Sequence, residues 1–81
     1  MAKFAFIVNP AGRDGRSLKR WKAVEKILNE TEIELEVHFT EHVGHASEIA
    51  YSLRERIDID CVVACGGDGT VHEVASGLRK S

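Results

Sequence analysis

Three short segments of strand character alternate with three helical stripes along 81 residues. Phe4 to Val8 is apolar at every position, as a strand is when both of its faces are covered. Asn9-Pro10-Ala11-Gly12-Arg13-Asp14-Gly15 then supplies loop chemistry. From Ser17 the spacing predicts a helix with Leu18, Trp21, Val24, Ile27 and Leu28 on one stripe, closed by Asn29 and Glu30. Ile33, Leu35, Val37 and Phe39 alternate with Glu34, Glu36, His38 and Thr40, which predicts a strand with one face in water and so an edge position. Ala46, Ile49, Ala50, Leu53 and Ile57 give a second amphipathic helix, Cys61 to Cys65 a third strand, and Val71, Val74, Ala75 and Leu78 a third helix.

This alternation predicts an α/β fold, a three-stranded parallel βαβαβα sheet with right-handed crossovers. With the second strand at an edge and the first covered on both faces, the strand order is 2-1-3, and the first two helices lie on opposite faces. The loops after Val8, Phe39 and Cys65 then share the carboxyl rim of the sheet, where open α/β sheets bind ligands. No repeat, low-complexity tract or linker divides the chain, and a single domain of this length buries only roughly 60% of its unfolded surface.

Gly66-Gly67-Asp68-Gly69-Thr70 joins the third strand to the third helix on that rim. Glycines permit positive φ, so several amide N–H groups can converge on one anion, and the helix adds unpaired donors and the positive end of its dipole. A plain tight turn is the alternative, but three glycines around a carboxylate exceed what a turn needs. Asp68 would oppose a bare phosphate, so it points to a bound cation, a proton to accept, or a hydrogen bond that shapes the loop. Thr70 and Glu73 have the spacing of a capping box.

The net charge of −2 carries no nucleic-acid footprint. The basic residues look scattered, which predicts no polybasic membrane patch. The apolar runs are far too short to span a bilayer, and Met1-Ala2-Lys3 leads into a strand without a signal peptide, which predicts a cytoplasmic protein. Cys61 and Cys65 lie about 13 Å apart along one strand, too far for a disulfide, and are expected to be small buried hydrophobes. A zinc site with His72 or His42 lacks knuckle geometry, and no metal ligand is assigned.

Neither a Gly-x-x-x-x-Gly-Lys-Ser/Thr loop nor a Gly-x-Gly-x-x-Gly fingerprint after the first strand is present. Val8-Asn9-Pro10-Ala11-Gly12, Thr40-Glu41-His42 with Gly44-His45-Ala46, and Val63 through Val74 together resemble the diacylglycerol kinase catalytic domain family, which includes bacterial lipid kinases and sphingosine and ceramide kinases and shares a superfamily with NAD kinase. The likeness runs along almost the whole chain in order and spacing.

The resemblance implies part of a doubly wound nucleotide-binding domain that takes ATP with Mg²⁺. It assigns Asn9, Thr40, Gly66, Gly67, Asp68, Gly69, Thr70, Val71 and His72 as nucleotide contacts and Asp68 as the base on the acceptor hydroxyl. Arg13 and Arg16 could reach phosphate or be surface charges. The implied partners are ATP and a lipid hydroxyl, such as that of diacylglycerol, at a membrane surface, with the complete protein peripheral to the membrane. Family members continue into a β-rich second lobe, so residues 1–81 are expected to be an N-terminal part that is inactive alone. A non-catalytic nucleotide or anion module, or an NAD-kinase-like fragment, is the alternative. A bare Cys61–Cys65 edge predicts a homodimer through that strand.

Overall fold

The computed structural model describes residues 2–79. Six elements follow the expected alternation: β1 (Lys3–Val8), α1 (Arg16–Leu28), β2 (Glu34–Phe39), α2 (His45–Leu53), β3 (Cys61–Cys65) and α3 (Asp68–Arg79). The strands form one parallel sheet in the order β2-β1-β3, with the continuously apolar strand at its centre. Val8 pairs with Phe39 on one side and Cys65 on the other, so all three strands end level at the carboxyl rim.

Side chains of β1 alternate between faces, and two cores result. Phe6 and Val8 meet Trp21 of α1, whose ring centroid lies 4.6 Å from that of Phe6 at a tilt of 47°. Ala5 and Ile7 meet Ala46, Ile49, Ala50 and Leu53 of α2 and Val74 of α3. Thus α1 covers one face while α2 and α3 cover the other. Burial of Trp21, Ile7 or Val8 is worth about 1.5–3 kcal/mol each. At Gly77, α3 touches α2: a Cβ there would collide with the Ser47 carbonyl oxygen and lie 2.8 Å from the Ala50 Cβ.

The connection from α2 to β3 is clipped to the edge strand by charge. Arg56 Nη1 donates to Glu36 Oε2 at 2.6 Å and Nη2 to Asp58 Oδ2 at 2.7 Å. Lys3 Nζ lies 3.3 Å from Asp58 and 3.7 Å from Glu36, and His38 Nε2 is 2.7 Å from Glu36 Oε2. The Arg56 guanidinium, with His38 beside it, holds the Glu36 carboxyl down at about 2. Hydrogen bonds from Arg56, then Lys3, hold Asp58 at about 2 as well.

Several sequence expectations fail at the ends of elements and on the outer face of α1. Ile57 lies beyond α2, which ends at Leu53, and is fully exposed; the core residue of that connection is Ile59. Ile27 is 66% exposed, because the inward face of α1 runs through Ser17, Trp21 and Leu28. Cys61, expected inside, is exposed as the first residue of β3. Cys65 is half-buried, and that burial pushes its thiol pKa up, away from thiolate chemistry. The basic residues are not scattered: Arg16, Lys19, Arg20, Lys22 and Lys26 are all exposed on the one helix α1. Among the described residues no helix is long and apolar enough to cross a membrane.

Candidate functional site

The ends of β1 and β2 continue as a backbone ladder into the rim loops. Asn9 N–H donates to Cys65 O at 2.9 Å, and Thr40 N–H to Val8 O at 2.9 Å. The Asn9 side chain is fixed at both ends: Oδ1 accepts from Ala11 N–H at 3.1 Å, and Nδ2 donates to Thr70 Oγ1 at 3.4 Å. That second bond ties the loop after β1 to the first turn of α3, where Thr70 is buried. Between these loops and α3 opens a cleft of about 450 Å³, lined by Asn9, Thr40, Glu41, His42, Thr70 and Glu73 among others.

The glycine loop is tighter and more regular than expected. Thr70 and Val71 N–H groups both donate to Gly67 O, at 3.1 and 3.2 Å, so α3 starts at Asp68. The predicted capping box is absent because Thr70 already lies inside the helix, and Glu73 instead accepts from Gly44 N–H at 3.2 Å through Oε2. Positive φ is absent at Gly66, Gly67 and Gly69; Gly15 and Gly44, both at 86°, are the described glycines that have it. Gly66 serves close approach: a Cβ there would collide with the Thr70 side chain. At Gly69 a Cβ would meet nothing within 4 Å, so this backbone is open to a ligand.

Of the residues singled out in the sequence, Asn9, Thr40, Gly69 and Thr70 come together around the cleft. Gly66 lies on the far side of the loop, in a groove of about 210 Å³ with Arg13, Arg20 and Trp21. Gly67, Asp68, Val71 and His72 line neither space, and Asp68, Val71 and His72 are exposed. The Arg13 Cγ lies 4.0 Å from where a Gly67 Cβ would be, so its guanidinium is within side-chain reach of the loop; Arg16 Nε donates to Arg13 O at 3.0 Å.

Sequence reasoning missed Glu73 as a cleft residue, although it stands four positions after Gly69 and so shares its helix face. The loop after β2, expected on this rim with Thr40 as its site residue, brings Glu41 and His42 into the cleft lining with Thr40. Here His45 Nδ1 accepts from Glu41 N–H at 2.9 Å, and the His42 and His45 rings stack at 4.6 Å and 13°. Gly44 takes the left-handed turn that opens α2. These bonds hold Glu41 and His42 over the cleft mouth.

The rim therefore pairs a largely apolar cleft that carries a few hydroxyl, amide and carboxylate groups with a helix start whose first N–H groups have no intrahelical acceptor, an arrangement suited to an anion at Gly67–Gly69. Among the described residues no three His, Cys, Asp or Glu side chains group to hold a metal ion by themselves.

Comparison with known proteins places this rim in a family. The family model for the diacylglycerol kinase catalytic domain matches residues 3–81. The chain belongs to the diacylglycerol kinase catalytic domain family. It is 35% identical over 98% of its length to the putative lipid kinase YtlR of Bacillus subtilis. It is 38% identical over 94% to sphingoid long-chain bases kinase 1 of Arabidopsis thaliana, and 37% over 91% to sphingosine kinase 1 of Homo sapiens. The chain spans 26%, 10% and 19% of these relatives respectively, so it corresponds to a minor part of each lipid kinase. The three-stranded parallel sheet in the order 2-1-3 is the diacylglycerol kinase-like and NAD kinase-like arrangement implied by the motifs.

Proposed function

We propose that the complete protein is a lipid kinase that moves the γ-phosphoryl group of ATP to a lipid hydroxyl, such as that of diacylglycerol, and that residues 1–81 are its nucleotide-binding part. The observation that carries this reading is the cleft of about 450 Å³, mostly apolar in its wall with Asn9, Thr40, Thr70 and Glu73 as its polar groups, that ends against Gly69 and Thr70 at the start of α3. Its volume suits a nucleoside, within the range of about 300–1,000 Å³ for small-molecule sites. The open backbone at Gly69 and the first N–H groups of α3 suit phosphate oxygens.

The residues present fit ATP with Mg²⁺, a cation usually held by one or two carboxylates together with substrate phosphates. Asp68 is an exposed carboxylate at the glycine loop. Bound Mg-ATP supplies the transferable group with its charge partly neutralised. The chain's own part is positioning: Asn9 and Thr70 lock the two loops together, and the α3 amides stabilise negative charge on the transferred group. Asp68 Oδ accepts the proton of the attacking hydroxyl. Such a base contributes about 10²–10⁴ in rate.

An amide NMR titration of this chain with Mg-ADP tests the binding half, with Asn9, Thr40 and Gly66 to Thr70 expected to shift together. Shifts confined to Trp21 or Leu53 would overturn it. For the catalytic half, Asp68→Asn in the complete protein should lower phosphoryl transfer by about 10² or more with nucleotide affinity kept. Turnover within a few-fold of wild type removes Asp68 from the chemistry.

A further inference from the structure

The phosphate site leaves unused the charge carried by α1. Residues 13–26 hold six of the eleven basic residues and two of the thirteen acidic ones, a local charge of +4 against −6 for everything else. At about 100° per residue, Lys22, Lys26, Lys19, Arg16 and Arg20 occupy one continuous outward arc of about 160°, opposite the buried Ser17 and Trp21. Glu25, the one acidic residue of α1, falls on the inward flank. Among the described residues no carboxylate lies within ion-pair distance of these five cations.

Like charges at i, i+3 and i+4, as in Arg16, Lys19, Arg20 and Lys22, repel one another, so this face does not serve the helix itself. Ile27, 66% exposed, sits inside the arc and Val24, 38% exposed, at its margin. The arc also reaches the rim, because Arg20 and Val24 line the groove that contains Gly66.

We propose that the outer face of α1 docks on an anionic phospholipid surface, its cations among the headgroups and Ile27 and Val24 at their level. The inference rests on the lipid-kinase reading for the reason a membrane is present; the charge and exposed apolar side chains are the chain's own. Docking on this face turns the groove that Arg20 and Val24 share with Gly66 toward the headgroups. Nucleic acid is the poorer occupant, since the aromatic ring of α1, Trp21, is 2% exposed and gives no stacking platform.

Vesicle co-sedimentation of the full chain tests this, with phosphatidylcholine alone and with added phosphatidylserine at about the anionic content of a cytoplasmic leaflet. Binding should require the anionic lipid and weaken with salt. Each basic residue near the surface contributes about fivefold to partitioning, so Lys19→Glu/Lys22→Glu/Lys26→Glu should lose at least about a hundredfold. Circular dichroism checks that the variant is folded, and Ile27→Ser should weaken binding without changing its salt dependence. Equal binding to neutral vesicles, a folded triple variant that binds like wild type, or a stronger preference for duplex oligonucleotide than for anionic vesicles overturns the proposal. Mg-ADP titration of the same samples is separate: anionic docking without nucleotide shifts fails the kinase reading and leaves the docking face standing.

Discussion

Gly77 and Gly69 both lie in α3 at ordinary φ, yet alanine at the two positions should act in opposite directions. Helix propensity alone favours alanine over glycine at either site by up to about 1 kcal/mol. At Gly77 the new methyl would collide with the Ser47 carbonyl oxygen and lie 2.8 Å from the Ala50 Cβ. A backbone carbonyl inside α2 cannot rotate away as a flexible side chain can, so the helices must separate. A clash with fixed backbone falls in the upper part of the overpacking range, about 2–3 kcal/mol, and deducting a propensity gain of about 1 kcal/mol leaves Gly77→Ala destabilised by about 1–2 kcal/mol. For a domain of this size that is a fall of roughly 5–15 °C in Tm. At Gly69, where a Cβ would meet nothing within 4 Å, alanine should gain about 0.5 kcal/mol through the unfolded chain. The same methyl enters the cleft at the start of α3, so on the proposed function affinity for Mg-ADP should fall while stability rises. Urea and thermal unfolding followed by far-ultraviolet circular dichroism read both changes. A Gly77→Ala chain as stable as wild type would refute the close contact between α2 and α3.

Acid should loosen the clip between β2 and the α2–β3 connection. The Glu36 pKa falls from 4.5 to about 2 on folding, so its contribution is complete above about pH 4.5 and is lost as the pH falls towards 2. Allowing for solvent screening, this amounts to about 1–2 kcal/mol. Arg56→Leu should flatten the pH dependence of stability in that window, and an unchanged profile would show that the pair is not what depresses Glu36. Among the described residues no strand lies beside the outer edge of β3, so this chain should self-associate in a sedimentation concentration series. Cys61→Lys, at an exposed edge position, should suppress that association with the fold intact; a monomer at every concentration would refute edge pairing. Val63 is unsuitable for this test because it packs against the Phe6, Val8 and Trp21 core.

Element order and sheet order were legible because they rest on periodicity, and the all-apolar Phe4–Val8 against the alternating Leu35, Val37 and Phe39 is a contrast that only burial on two faces or one explains. Ends were not legible. Ile57 extends the helical spacing of Ala46 to Leu53, but the chain must turn away after Leu53 to enter β3, and geometry overrides pattern there. The glycine loop was recognised for a partly mistaken reason: its glycines lie at ordinary φ, and at Gly66 it is contact with Thr70 that excludes a side chain. Thr70 and Glu73 match a capping box in spacing, yet the helix begins two residues earlier, which frees Glu73 to meet Gly44 across the cleft. The basic face of α1 escaped a linear reading because its cations are separated along the chain and converge only when wound at 3.6 residues per turn.

The central strand sets a timetable for synthesis. Phe4 finds one neighbour, Leu35, 31 residues on, and the other, Cys61, 57 residues on. Since β1 contributes to both cores, neither half can settle early: the Ala5 and Ile7 side waits for α2 and for Val74 of α3. At about 5–20 residues per second on a ribosome, the most apolar segment of the chain stays without its second partner for roughly 3–10 s. A nascent chain of this design exposes an unpaired apolar strand over that interval, so slowing elongation after Val8 should raise aggregation more than slowing it after Cys65.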